Sequence, residues 1–303
     1  MNLQLENVSL TSNTGPNSFA NKLIKYKPDS ITFDTDKELE AILCFIESRR
    51  QKAEKPLFLR MDGIYVNTAQ DYLRQNQNIK RTYKMSSGVI FQSQFGKKLI
   101  QKTFGAHPNT IVIPNGADIL SIKQAKEFPF EKYDNLWCCA ANWRPHKRLG
   151  ENIRFFLENS GPNDGLIIAG SVAPREQVKH SRIHYAGSLQ QKQLFSLYKK
   201  SKYFVHLAFL DCCPNVIIDA RACGCHIICT DSGGSREIAG SNATVIKDLD
   251  WDFKPLDLYN PIKLDFSRKI DNSEFEDSDY DMFNVSKQYF DFIEKSLRGN
   301  TND

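Results

Sequence analysis

Asp211 and Asp219 stand with seven residues between them in the stretch DCCPNVIIDARACGCHIICTDSGGSREI, which runs from Asp211 to Ile238. Pro214 suits the first turn of a helix, where its missing N–H is not required, so Asn215 to Cys223 read as a helix entered from the loop that holds Asp211. In an open parallel α/β sheet such a strand-to-helix loop lies at the carboxyl edge, where ligands bind. The free N–H groups of the first helical turn, from Pro214 through Asn215 to Val216, attract an anion such as a phosphate. Two carboxylates near a phosphate suit hydroxyl groups, which sugars and ribose carry. Taken singly, Asp211 is an ordinary loop or capping aspartate and Asp219 a surface helix residue. Their context adds small residues in ARACG, where helix and sheet must approach closely, and the Gly233-Gly234 turn after the next apolar run.

The elements that must position these residues follow a βαβ rhythm. SITFDT, LFLRM, GVIFQS and TIVIPN read as buried strands, with KELEAILCFIESRR and SQFGKKLIQKTF as helices between them. After a looser segment from Gly116 to Asn135 the rhythm restarts. LWCCAANW, GLIIAGS, RIHYAG, KYFVHLAF and HIICTD are strands, separated by the helices RLGENIRFFLENS, LQQKQLFSLYKKS and the one beginning at Pro214. The expectation is an α/β chain with two parallel-sheet domains: a shortened N-terminal domain at 1–130, a second at 131–284, and a last helix at 285–303 that docks back on the first. That helix carries an apolar face of Val285, Tyr289, Phe292 and Ile293.

Composition permits this size of core: 303 residues, 41% hydrophobic and 11% aromatic. Forty basic against 36 acidic residues give +4, which suits an anionic small molecule or peripheral contact with an anionic membrane surface and does not call for nucleic acid. With no apolar run of 18 residues and no signal-like start, the protein is expected in the cytoplasm, with any membrane association peripheral and at the cytosolic face. Cys138 and Cys139 are adjacent, and Cys223, Cys225 and Cys229 lie among Ala, Ile and Gly with no metal-like pairing, so reduced, buried thiols are expected. The pairs Asp34–Asp36 and Asp277–Asp279 have the form of a DxD metal motif but sit in or before polar loops away from a ligand edge, and are set aside. His206 and His226, on buried strands, read as core histidines.

Residues 203–238 resemble the signature of retaining family 4 glycosyltransferases, in which two glutamates separated by seven residues precede AMACG and a GG loop ending in Pro-Glu-Ile. Asp211 and Asp219 match that spacing, ARACG the helix and GGSREI the loop. IPNGAD from Ile113 to Asp118 is similar to the Asn-Gly-Val-Asp segment closing the family's first domain, AANWRPHKRLGENIRFF to the opening of its donor domain, GVIFQSQFGKKLI to its last N-domain strand and helix, and TGPNSFANKL to its N-terminal glycine loop. The resemblance covers roughly residues 10 to 240 and departs at three places. Both glutamates are aspartates, about one methylene shorter. Lys147 falls on the family lysine, but the family arginine falls on Asn142, leaving Arg144 as its substitute. Asp62, at the end of LFLRM, falls near a family histidine followed by glycine.

The resemblance implies a GT-B fold of two Rossmann-like domains, with a nucleoside-diphosphate sugar as donor and a glycan, lipid or other hydroxyl as acceptor. It implies hexosyl transfer without metal or other cofactor, the leaving diphosphate being held by Arg144, Lys147 and the amides at Pro214, Asn215 and Val216. Asp211 then takes donor-sugar hydroxyls and Asp219 the ribose. Asp62 orients an acceptor hydroxyl or, desolvated, serves as a weak base. Gly15 brings backbone near the phosphates, and Ser171, Tyr185, Gly187 and Leu189 line the base pocket. Two rivals remain: a catalytically weak nucleotide-sugar-binding module of this fold, and a nucleotide-dependent oxidoreductase, which the absence of G-x-G-x-x-G after a strand disfavours.

Overall fold

A computed structural model describes residues 1–12, 14–276 and 280–299. The chain forms two compact units, one of Met1–Gly116, Phe253–Leu256 and Tyr280–Asp303, the other of Ala117–Asp252 and Asp257–Asp279. Asp277–Asp279, one of the two DxD candidates, lies outside the described residues. The other is a surface turn: Asp36 N donates to Asp34 Oδ1 at 3.0 Å and Lys37 pairs with Asp34.

The first unit contains β1 (Leu3–Glu6), α1 (Gly15–Lys25), β2 (Ala41–Phe45), β3 (Leu57–Met61), α2 (Tyr72–Met85), β4 (Gly88–Phe91), α3 (Gln94–Phe104) and β5 (Thr110–Val112). Its five strands run parallel in the order β1-β2-β3-β4-β5. AILCF, expected within a helix, is β2. Its alternate residues serve opposite faces, Ala41, Leu43 and Phe45 joining one core and Ile42 and Cys44 the other. A strand buried on both faces reads as a continuous apolar run, which periodicity does not separate from a buried helix. SITFDT, expected as a strand, contributes only a bridge between Thr32 and Asn2, because the turn at Asp34 ends the extended run.

The second unit contains α4 (Ile119–Gln124), β6 (Leu136–Ala140), α5 (Leu149–Asn159), β7 (Gly165–Ala169), β8 (Ile183–Gly187), α6 (Gln191–Lys200), β9 (Tyr203–His206), α7 (Asn215–Ala222), β10 (His226–Thr230), α8 (Ser235–Ala239), β11 (Thr244–Ile246) and β12 (Lys269–Ile270). The sheet order is β12-β11-β10-β9-β6-β7-β8, parallel except for β12. The order reverses between β9 and β6, so the loops after these two strands leave the sheet side by side, the topological switch point of an open α/β sheet. The unit begins at Ala117 rather than at 131 because α4, capped by Asp118 through the Ser121 N–H at 2.9 Å, packs on α6. Lys199 secures it with a 2.6 Å hydrogen bond to the Ala125 carbonyl.

The last helix, α9 (Met282–Gly299), belongs to the first unit. Val285, Tyr289, Phe290 and Ile293 are buried there, with Tyr289 against Phe19 at 5.2 Å and Phe292 edge-on to Phe58 at 6.0 Å. Gly116 makes this approach possible: a Cβ there would lie 2.8 Å from the Met282 Cα.

Candidate active site

In the second unit, Lys147 ends a 3-10 turn at Pro145–Lys147 in the loop after β6, and Asp211 lies in the loop after β9. Lys147 Nζ forms an ion pair with Asp211 Oδ2. His206, the last residue of β9, places Nε2 3.2 Å from the same oxygen. Among the described residues no partner reaches Oδ1, and the Asp211 side chain is 18% exposed.

The backbone around this pair is strained and tied down. Arg148 and Leu210, flanking Lys147 and Asp211, are non-glycine residues with φ of 51° and 58°, each costing about 1–2 kcal/mol. Asn152 fixes the first by hydrogen bonds from Nδ2 to the carbonyls of Lys147 (3.1 Å) and Arg148 (2.7 Å). The Arg148 guanidinium, 2% exposed, makes a two-point ion pair with Asp248 at 2.5 and 3.0 Å and donates to the Ile262 carbonyl. Phe209 N donates to the His146 carbonyl at 2.7 Å, stitching one loop to the other. Gly234 N donates to the Asp211 carbonyl at 2.8 Å. Gly233, with φ of 90°, passes so close that a Cβ would lie 2.4 Å from that oxygen.

The electrostatics favour an ionised Asp211 beside neutral histidines. Burial opposes the charge on Asp211, but the Lys147 ammonium and the His206 hydrogen bond outweigh it and hold the carboxyl well below the usual carboxylate range. Burial pushes His206 down and, with Lys147 adding to it, brings His146 to about 4. Cys212, next to Asp211, is pushed up to about 12 by burial and by the Asp211 charge, so it stays a thiol at neutral pH.

The other expected residues are distributed as follows. Pro214 is the N-cap of α7 rather than inside it, its carbonyl accepting from Ile217 N at 3.1 Å. Asn215 begins the helix with Oδ1 buried and, among the described residues, unbonded, and Val216 is half-buried. Asp219 is half-buried one turn on, where its charge helps raise the pKa values of Tyr198 and Cys223 after burial has done most. Arg144 is exposed and among the described residues its guanidinium has no partner, so the structure does not bring it to Asp211. Ser171 and Ser188 hydroxyls meet at 2.9 Å across the loops after β7 and β8, with Gly187 ending β8 and half-buried Leu189 in the loop that follows. The Tyr185 hydroxyl accepts from Val178 N at 2.8 Å, anchoring the intervening segment.

In the first unit, Gly15 opens α1 and is exposed. Asp62 follows β3 and is not a simple turn residue. Its Oδ1 is held by Arg60 and Gln92, and Oδ2 is buried. Arg60, 1% exposed, also donates to Asn115 Oδ1 at 2.7 Å, and Asn115 donates to Gln92 at 3.0 Å. Its guanidinium lies 4.2 Å from the Phe19 ring centre. The loops after β3, β4 and β5 thus share one polar network at their carboxyl edge. Arg60 in LFLRM was its available signal, a charge inside an apolar strand.

All eight cysteines are free, and six are buried. Among the described residues, no group of three or more His, Cys, Asp or Glu side chains could hold a metal ion, and no helix is long and apolar enough to cross a membrane.

Residues 142–253 match the model of the family Glycosyl transferases group 1. Over 193 residues the chain is 28% identical to an uncharacterized glycosyltransferase of Methanocaldococcus jannaschii, a match covering 57% of this chain and 47% of that one. The chain therefore spans about half the length of the curated relative it matches. The structure superimposes on Anabaena HepE in complex with UDP-glucose with a TM-score of 0.68 at 14% identity, covering 97% of this chain and 100% of the other. On a glycosyltransferase from Rickettsia africae the TM-score is 0.62 at 12% identity, with 98% of each chain covered. The spacing of Asp211 and Asp219 and the lysine after β6 therefore lie in a segment, residues 142–253, that is similar to the glycosyl transferases group 1 family, in a chain with the fold of GT-B glycosyltransferases.

Proposed function

We propose that the chain is a retaining glycosyltransferase that moves a hexose-type sugar from a nucleoside-diphosphate sugar to a hydroxyl of a glycan, a lipid or another acceptor. The observation that carries this reading is the Lys147–Asp211 pair at the carboxyl edge, beside the N-terminus of α7 and inside the family-matched segment. Lys147 is a cation on a flexible stem, free to exchange a carboxylate for a phosphate oxygen. With the first amides of α7 and the exposed Arg144 it supplies positive charge to a departing diphosphate, and that neutralisation lowers the barrier without a metal. Asp211 faces the sugar hydroxyls with Oδ1, Asp219 the ribose, and the backbone at Ser171, Tyr185, Gly187 and Leu189 the base. On the first unit, Asp62 and Gly15 serve the acceptor side and the phosphates.

HepE is crystallised with UDP-glucose, which makes that compound the first probe in a thermal-shift screen of UDP, GDP and ADP sugars. A ligand at ~100 times its dissociation constant adds roughly 2.7 kcal/mol to stability. The expected outcome is stabilisation by one nucleotide class, followed by sugar release or transfer that survives EDTA. No stabilisation and no sugar release would refute the proposal. Binding without turnover would select the binding-module alternative. Activity lost to EDTA and restored by manganese would reject the metal-free clamp.

A further inference from the structure

We infer that His206 is a positioning residue for Asp211, keeping Oδ1 of the carboxylate turned outward when Lys147 leaves Oδ2 for a diphosphate. The inference rests on the glycosyl-transfer reading and deepens it at the same site. In the structure both Lys147 Nζ and His206 Nε2 engage Oδ2. The two partners differ in kind. Lys147 projects from a turn on a mobile stem, and a diphosphate carries more negative charge than a carboxylate. His206 is 4% exposed and sits at the end of β9, a strand paired on both sides, with β10 and β6. Its ring lies parallel to that of Phe204, at 11° and 6.3 Å.

An ionised carboxylate only accepts hydrogen bonds, so the proton on the imidazole belongs to Nε2. The charged and titratable groups facing this ring are Asp211, Lys147 and His146, and burial keeps the imidazole uncharged. His206 therefore holds Asp211 without cancelling its negative charge. Once Lys147 has moved, His206 is the one remaining side-chain donor to Oδ2 among the described residues. Without it the carboxylate is free to rotate and Oδ1 loses its aim. Because this matters only after the diphosphate is bound, the consequence falls on turnover rather than on nucleotide affinity.

The test compares the full chain with His206→Leu, which keeps bulk but has no donor, and His206→Gln, whose amide N–H stands near the place of Nε2. The nucleoside diphosphate should bind both variants within about two-fold of the parent, while single-turnover sugar release falls about 10- to 100-fold in His206→Leu and recovers to within a few-fold in His206→Gln. Parent-like turnover in His206→Leu, or equal losses in both variants, would overturn the inference. A readout independent of activity is the nitrogen NMR spectrum of the histidines in the parent and in Asp211→Ala. The Nε2–H tautomer of His206 is expected in the parent and should be weakened in Asp211→Ala. An unchanged spectrum would overturn the inference as well. A parent that binds no nucleotide sugar, yet shows the tautomer change, would refute glycosyl transfer and still confirm that His206 fixes Asp211.

Discussion

Asp211 Oδ2 is taken by Lys147 and His206, so Oδ1 is the oxygen left to meet a hydroxyl group, whereas Asp219 lies one turn inside α7. Under the proposed glycosyl transfer, this separation gives them different tasks on one donor. Asp219→Asn should weaken the sugar-free nucleotide and the nucleotide sugar alike, by roughly 1.5–3 kcal/mol for a lost charge-assisted hydrogen bond. Asp211→Asn should spare nucleotide affinity and lose turnover, since the proposed contact with the sugar would strengthen as positive charge develops at the anomeric carbon. Calorimetry with the nucleoside diphosphate and single-turnover transfer separate the two effects. Two variants that bind and transfer like the parent would make both aspartates structural. The pair was legible from spacing, but its partners were not. His206 is buried as expected of a core histidine, and only the fold shows that its ring meets a carboxylate five residues on. Arg148 and Asp248 are 100 residues apart, so no local pattern announces the ion pair that pins the loop carrying Lys147.

At the scale of elements, the candidate site depends on how tightly the loop after β9 is pressed against the one after β10. Gly233→Ala would place a Cβ 2.4 Å from the Asp211 carbonyl oxygen at a φ of 90°. Backbone must yield, and the backbone that yields carries Asp211. The expected outcome is a loss of about 1–3 kcal/mol in denaturant unfolding, together with a fall in transfer larger than that of a stability-matched change elsewhere. Parent-like stability and turnover would show that the loop is adaptable and that Asp211 is not held there by Gly233. The element carrying this site was readable because Pro214, the small residues of ARACG and the glycine turn each have one strong local reason. Strand β2 was not, since five buried residues between charged flanks satisfy a helix and a two-faced strand equally well until their neighbours β1 and β3 are in place.

For the whole molecule, two parallel sheets were legible because each apolar run is short and bounded by turn residues. The looser segment from Gly116 marked the division, but not that residues 117–130 join the second unit, because that follows from the packing of α4 on α6. Burial of histidines on these sheets and loops sets a further property, the response to acid. His146, His184, His206 and His226 are all held below the ordinary 6.5, chiefly by burial, His146 at about 4. Between these values the unfolded chain binds protons that the folded chain refuses, so stability falls as pH falls from about 6.5 and, for His146, levels off below about 4. Asp211 acts in a lower window: its depressed carboxyl stabilises the fold above the usual carboxylate range, and that contribution is lost only in stronger acid. Thermal unfolding between about pH 7.5 and pH 5 should therefore show a melting temperature that drops with acid, governed chiefly by histidine. His146→Gln, which has nothing to protonate, should flatten part of that slope while leaving the value at pH 7.5 close to the parent. A parent with a flat profile across this range, or a His146→Gln profile parallel to it, would show that these imidazoles take up protons as readily in the folded protein as in the unfolded chain, and the neutral surroundings assigned to Asp211 would fall with them.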